Sequence, residues 1–235
     1  MGLAAPRIFL VDTFGLIFRA YYGRARSPVS SLRTSAGLPT EAVYVFNNML
    51  RAMLEEKRPE YVVAVWEGRG PTFRDDIFPQ YKANRDAMPE DLGLQLPFIE
   101  RILKAWNVAV LSEDGYEADD TIALLARQAC EQGVEAVIVS SDKDLMQVVR
   151  EGVSQWNPGK DMLYGAEDVR EFLGVSPDRV ADLLALKGDA ADNIPGAPGI
   201  GDKGARQLIA DFGDIEGIIE HAAEVKRKTY RESLQ

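Results

Sequence analysis

A chain of 235 residues, 46% hydrophobic and 27% charged, can bury a substantial core as one large domain or one with a small companion, without disulfides or a structural metal. One cysteine, Cys130, and one histidine, His221, exclude a disulfide framework, a zinc finger, a histidine-based nucleophilic site and a histidine-rich transition-metal centre. The net charge of −10 would disfavour a nucleic-acid partner if the acids were evenly spread, so their distribution decides.

The lone thiol fits a reducing compartment. No apolar run approaches the ~20 residues that span a bilayer, and the N-terminus has neither a signal peptide's charged start nor its apolar core. A soluble cytoplasmic protein without membrane partners is expected.

The first apolar run, Arg7–Val11, reads as a strand, followed by a helical pattern over Thr40–Glu56 and a second strand at Tyr61–Trp66. Gly68–Met88 is neither strand-like nor cleanly helical. It carries Arg69, Arg74, Lys82 and Arg85 against Asp75, Asp76 and Asp86, with Phe73, Phe78 and Tyr81 interleaved. A long irregular connection of that kind is usually functional or disordered. Then come a helix over Leu92–Trp106, a weaker strand at Val108–Leu111, a helix over Ala118–Gln132, a strand at Ala136–Ser140 and a helix over Asp142–Val149. Near-continuous apolar strands alternating with helices predict an α/β fold with a mostly parallel central sheet flanked by helices. After Tyr164 short helices (167–173, 177–186, 203–212) alternate with Gly/Pro-rich turns, which predicts a core over residues 1–164 and a small helical subdomain over 165–235.

Acids fall where the strands end. Asp12 follows the first strand, Glu67 the second, and Asp142 and Asp144 the third strong one, while Glu117, Asp119 and Asp120 precede a helix. In a parallel sheet these positions share the carboxyl edge, where open α/β folds bind ligands. Any one such acid is equally well explained as a helix cap. Seven together would repel one another, and cations are what would relieve them. An oxygen-rich, histidine-free set selects hard ions, Mg²⁺ or Mn²⁺, and its size implies two or more of them, suited to phosphoryl chemistry.

Residues 187–206 form a second signal. Gly199-Ile200-Gly201 opens a helix, with Lys203 and Arg206 in its first turns. Small residues at a helix N-terminus let backbone N–H groups approach a phosphate, and the helix–Gly-hydrophobic-Gly–helix context suits sequence-independent DNA backbone binding. Asp189 and Asp192, just upstream, would extend the acidic set.

The segments Phe9–Asp12, Gly70–Arg74, Tyr81–Arg85, Gly115–Asp120, Ser141–Leu145 and Gly188-Asp189 through Gly201 lie in the order found in the 5′-nuclease domains of bacterial DNA polymerase I and related flap endonucleases, and the chain resembles that family almost end to end. The resemblance implies a PIN-like core with a helix–three-turn–helix (helix-hairpin-helix-like) subdomain. It also implies hydrolysis of DNA, and of RNA primers, at or near 5′ ends and flaps, leaving 5′-phosphates. By position it marks Asp12, Glu117, Asp119, Asp120, Asp142, Asp144, Asp189 and Asp192 as metal-site acids, with Glu67 at the second strand. Among them, Asp119 and Asp142 are expected to be catalytic. Lys82 and Arg85, in an arch spanning about 68–100, would hold the scissile phosphate, and Arg19, Phe73, Arg74, Tyr81, Lys203 and Arg206 would touch DNA. A K⁺ ion would sit at the 199–201 hairpin. The partners implied are branched or 5′-ended duplex DNA with a single-stranded flap and, in the same full-length chain, a polymerase domain; a monomer acting at the bacterial nucleoid is expected.

Two features depart from the family pattern. Glu67 stands where the family has Asp, moving that carboxylate by one methylene. The chain also stops at Gln235, after the basic run Lys226–Lys228, which suggests a piece of a longer polymerase. The alternatives are a catalytically weak DNA-binding module and a PIN-type ribonuclease; a receiver-like phosphoacceptor is disfavoured by the hairpin.

Overall fold

The computed structural model describes residues 5–25 and 32–235; the first four residues, on which the targeting argument draws, lie outside that range. The described residues form two compact units. One comprises residues up to Thr72, Asp86–Asp142 and Gly152–Leu163; the other comprises Phe73–Arg85, Lys143–Glu151 and Tyr164–Gln235.

In the first unit, strand β1 (Arg7–Asp12) runs into helix α1 (Thr13–Ala25), and α2 (Glu41–Lys57) leads to β2 (Tyr61–Val65). In the second unit, the only helix before residue 90 is α3 (Phe73–Ile77). The first unit continues with α4 (Glu90–Gly93), α5 (Leu96–Ala105), β3 (Ala109–Leu111), α6 (Ala118–Glu131), β4 (Glu135–Val139), β5 (Val153–Asn157) and β6 (Met162–Tyr164). The six strands lie in the order β3-β2-β1-β4-β5-β6. Pairing is parallel from β3 through β5, with Leu10 opposite Val63 on one side and Ile138 on the other. The chain adds strands outward from β1 in one direction and then returns to place β4 on β1's other side. The carboxyl ends of β1 and β4 therefore flank the topological switch point, where a crevice for ligands opens in this class of sheet.

The core of this unit gathers Phe9, Val11, Ile17, Phe46, Leu50, Ile99, Leu103 and Val139. Helix α1, absent from the sequence reading, begins because the Asp12 carboxylate accepts the Gly15 N–H at 2.9 Å, as an N-cap does, while Leu16, Ile17 and Ala20 face inward. Helix α2 has no side-chain cap of its own. The fully buried Gln95, between α4 and α5, accepts from the Ala42 and Val43 N–H groups at 2.9 and 3.2 Å and donates to the Asp91 carbonyl. That polar insertion divides the single helix expected over 92–106.

Strands β5 and β6 were also unforeseen. The expected helix at 142–149 is a 3₁₀ turn over Asp144–Val148. The expected arch, 68–100, is divided as well: Phe73–Arg85 belongs to the second unit, whereas Leu92 and Ile99 are core residues of the first.

The second unit is helical: α7 (Ala166–Leu173), α8 (Val180–Lys187), a short antiparallel ribbon of β7 (Gly188–Asp189) and β8 (Ile194–Pro195), then α9 (Asp202–Phe212), α10 (Ile215–Glu220) and α11 (Lys228–Leu234). Its core joins Met146, Val149 and Tyr164 to Val169, Leu183, Leu186, Ile200, Leu208 and Ile218.

Candidate active site

At the carboxyl edge of the sheet, β1 delivers Asp12 as its last residue. Glu67 lies two residues beyond β2, and Asp142 three beyond β4. Both oxygens of Asp12 are engaged, Oδ1 by the Gly15 N–H and Oδ2 by the Ser140 hydroxyl at 2.8 Å. A side chain at Gly15 would displace the Asp12 carboxylate, since a Cβ would fall 2.2 Å from its Oδ2. The Ser140 hydroxyl also accepts the Asp142 N–H at 3.0 Å, so one side chain ties the two strand ends together. Gln155, fully buried on β5, donates its amide to the carbonyls of Ser140 and Asp142 and fixes the loop from behind. Neither Ser140 nor Gln155 was singled out from sequence. The hydroxyl pair before Asp142 was a readable hint for Ser140; a lone polar residue in an unrecognised strand gave none for Gln155.

The other acids gather at the start of α6. Glu67 Oε2 accepts the Ala118 N–H at 2.9 Å, and Asp120 Oδ2 accepts the Glu117 N–H at 3.1 Å, so both serve the helix terminus. Glu117 is buried. The carboxyl of Asp119 is pushed up to about 8, first by burial and then by the charges of Asp12, Asp142, Glu67 and Glu117. Every charge acting on it is another carboxylate. Burial likewise raises Asp12, against the two hydrogen bonds that pull it down, and Asp142 adds to the rise.

These are hard oxygen donors, the kind that hard divalent cations take as ligands. Among the described residues no three such side chains form a ready-made ligand shell.

The second unit holds the remaining candidates. Asp144 opens the 3₁₀ turn. Burial, together with the neighbouring Lys143 ammonium, holds Lys187 below the usual lysine range, while Asp202 and Asp144 pull the other way. Asp189 accepts the Ala191 N–H at 2.8 Å. Asp192 accepts the Tyr81 hydroxyl at 3.1 Å and pairs with the Arg85 guanidinium. The Lys82 ammonium lies 4.9 Å from the Tyr81 ring centroid, and Arg74 lies 4.6 Å from that of Phe73. Gly199 is left-handed at φ +79°, Ile200 is buried as an anchor, and Gly201 caps α9, beside the exposed Lys203. Arg206 is turned inward instead: it pairs with Asp202 at 2.7 Å, its stem lies against Gly174, and its Nε is buried without a partner. Arg19 sits in the first unit, seven residues into α1 from Asp12, its guanidinium against Gly159.

Residues 7–174 match the family model of the 5′-3′ exonuclease N-terminal resolvase-like domain, and residues 175–235 match that of the 5′-3′ exonuclease C-terminal SAM fold. The chain belongs to the 5′-3′ exonuclease family. A DNA polymerase I of Rhizobium leguminosarum is 42% identical over 97% of this chain and 23% of its own length; a 5′-3′ exonuclease of Aquifex aeolicus is 37% identical over 94% of this chain and 75% of its own. The chain thus spans about a quarter of the polymerase relatives it matches. Among solved structures, a bacteriophage T5 5′-exonuclease bound to zinc superposes with a TM-score of 0.77, at 22% identity, over 97% of this chain and 83% of that one. The T5 D15 flap endonuclease in a pseudo-enzyme-product complex with DNA and metal ions gives 0.76 at 22% identity, over the same shares of the two chains. These likenesses show that the exonuclease family member described here has the flap-endonuclease fold.

Proposed function

We propose that this chain is a divalent-metal-dependent, structure-specific 5′ nuclease. It hydrolyses phosphodiester bonds at or near the 5′ ends and flaps of DNA, and of RNA primers, in replication and repair, as part of a DNA polymerase I. The observation that carries the reading is Asp119, buried among four surrounding carboxylates at the switch point of the sheet and held up at about 8 by that burial and by their charges. A side chain so placed is stabilised by a cation, and the fold's relatives include proteins solved with divalent metals and with DNA.

Asp12, Glu67, Glu117, Asp119, Asp120 and Asp142 of the first unit would hold Mg²⁺ or Mn²⁺; Asp144, Asp189 and Asp192 are the further metal-site acids that the family resemblance marks. When bound, such ions supply Lewis acidity and charge neutralisation for attack of water on the phosphorus. The bond from phosphorus to the 3′-oxygen breaks, so the released 5′ fragment carries a 3′-hydroxyl and the strand left in the duplex carries the 5′-phosphate. The Asp12 carboxylate is oriented through Ser140, and the backbone of Asp142 is held through Ser140 and Gln155, before substrate arrives. Asp119 gives up its proton to solvent as positive charge enters. Lys82 and Arg85 grip the phosphate and offset its developing charge. Tyr81 and Phe73 offer stacking faces to unpaired bases, worth about 1–3 kcal/mol per base. The Gly199–Gly201 turn and Lys203 hold the duplex backbone, with K⁺ at the turn; Arg19, Arg74 and Arg206 are the remaining DNA contacts of this reading, Arg206 only after leaving Asp202. The chain acts as a monomer on chromosomal DNA in the cytoplasm. Among the described residues no helix is long and apolar enough to cross a membrane.

The test is cleavage of a 5′-labelled flap duplex, beside matched single-stranded DNA and RNA, in Mg²⁺ and in EDTA. Mg²⁺-dependent release of the flap near its junction is the expected result. Tight flap binding without cleavage would make the chain a binding module, and preference for single-stranded RNA would make it a ribonuclease.

A further inference from the structure

Residues 78–85, which carry Lys82 and Arg85, hold themselves together by little. Their internal backbone bonds are turns (Tyr81 N–H to the Phe78 carbonyl, Ala83 to Gln80, Arg85 to Lys82), and the preceding α3 buries none of its residues. What fixes the segment is a lattice of hydrogen bonds to the loop between β7 and β8, about 110 residues along the chain. The Lys82 N–H donates to the Asp192 carbonyl at 2.9 Å. Asn84 lends its Nδ2 to the Ala190 carbonyl at 2.7 Å, and Asn193 returns the gesture with its own Nδ2 to the Gln80 carbonyl, also at 2.7 Å. Between these sit the contacts of Asp192 with Tyr81 and Arg85. Lys82 and Asn193 adopt left-handed backbones, φ +55° and +58°, a conformation that non-glycine residues hold only where the surroundings fix it.

We propose that Asn84 and Asn193 are positioning residues: their reciprocal amide bonds clamp the Lys82–Arg85 turn to the Asp189–Asn193 loop, so that the phosphate-gripping cations and the acids Asp189 and Asp192 form one rigid piece. The proposal rests on the function assigned above to Lys82, Arg85 and the two acids. Neither asparagine carries a charge, and each bonds to a backbone carbonyl. Their contribution is therefore to geometry alone, and it can be removed without altering the charge that substrate or metal would meet. The pairing is also specific to the amide. A serine would be too short for the same reach, and an aspartate offers no donor to a carbonyl.

The experiment measures hydrogen exchange over residues 78–86 in the full chain, for wild type, Asn84→Ala and Asn193→Gly; glycine retains the left-handed backbone while deleting the amide. Each substitution should raise exchange in this segment about 2- to 12-fold, the effect of one net hydrogen bond on a local opening equilibrium, while α8 and α9 remain as protected as before. In single-turnover cleavage of the flap duplex, both variants should lose about tenfold in rate, while flap affinity in Ca²⁺ stays within about twofold, the signature of lost orientation rather than lost binding. Unchanged exchange in both variants refutes the clamp, whatever the cleavage gel shows. Loosening that spreads through α8 and α9 refutes it too, since the bonds would then hold the unit's fold. Faster local exchange with an undiminished single-turnover rate refutes the positioning role. Lys82→Ala in the same assay separates the two levels: if it cleaves at the wild-type rate, the assigned role of Lys82 fails, while the exchange result still decides the clamp.

Discussion

Replacing Asp119 by asparagine removes the proton-binding group that the carboxylate cluster presses hardest. In the folded protein its pKa is about 8, against 3.8 for the ordinary side chain. The folded state therefore binds more protons than the unfolded state between about pH 4 and 8, and stability falls as pH rises through that window. At pH 7 the unfolded carboxyl lies 7 − 3.8 = 3.2 units above its pKa and gains about 4 kcal/mol by ionising. The folded group, still mostly protonated, gains almost nothing. Asparagine has no such term, so in EDTA Asp119→Asn is expected to be more stable than wild type at pH 7, by up to about 4 kcal/mol, and no more stable near pH 4. All three tryptophans lie in the first unit, so urea unfolding followed by tryptophan fluorescence reports the unit that contains the cluster. Saturating Mg²⁺ narrows the gap: ligand at 100 times its Kd adds about 2.7 kcal/mol to a state that binds it, and the variant gains less. Parallel pH profiles for the two proteins in EDTA would refute the reasoning.

Asp142→Asn should lower flap cleavage at least about 100-fold while flap binding in Ca²⁺ stays within about threefold; retained cleavage would remove Asp142 from the metal-site assignment. Glu67→Asp should withdraw the oxygen that receives the Ala118 N–H and cost about 0.5–2 kcal/mol in tryptophan-monitored unfolding. An unchanged midpoint would show that the helix terminus does not depend on Glu67. In Gly188→Ala the new Cβ would fall 2.4 Å from the Gly196 nitrogen and 2.7 Å from the Ile194 carbonyl oxygen, at φ +74°. The β7–β8 ribbon should loosen by about 2–4 kcal/mol, seen as faster exchange at Ile194 and Ala197, and native-like protection there would refute the packing argument.

What the sequence announced was local. Continuous apolar runs marked β1, β2, β3 and β4, because strands buried on both faces need no alternation, and the acids following them marked the sheet's carboxyl edge. What it concealed depends on partners distant along the chain. Gln95 caps a helix more than fifty residues earlier, Gln155 braces the loop that ends in Asp142, and Asn84 and Asn193 each donate to a carbonyl more than a hundred residues away. An isolated polar residue has no periodicity, so nothing in the pattern distinguishes these from surface side chains. Strand β5 escaped for the same reason: Val-Ser-Gln-Trp-Asn reads as a polar stretch until Gln155 is seen to be buried. Arg206 shows a different limit: its place after the glycine turn suggested phosphate, and nothing in that pattern signalled its pairing with Asp202, one helical turn earlier.

Helix capping and cation holding, which compete as explanations of single acids, are complementary in the assembled cluster. Glu67 and Asp120 accept N–H groups around the α6 terminus, and Asp12 caps α1, so backbone dipoles carry part of the charge. Dipoles supply no net charge, and the remainder appears as the proton on Asp119. With a pKa of about 8, that group is about 0.9 protonated at pH 7 and about 0.1 protonated at pH 9. A divalent ion entering the cluster displaces that proton, so calorimetric titration with Mg²⁺ in buffers of different ionisation enthalpy should show release of about 0.9 protons at pH 7 and about 0.1 at pH 9. Asp119→Asn should release almost none at either pH. Equal release at the two pH values, or unchanged release from the variant, would mean that the charge deficit is met elsewhere and that Asp119 is not where the cation acts.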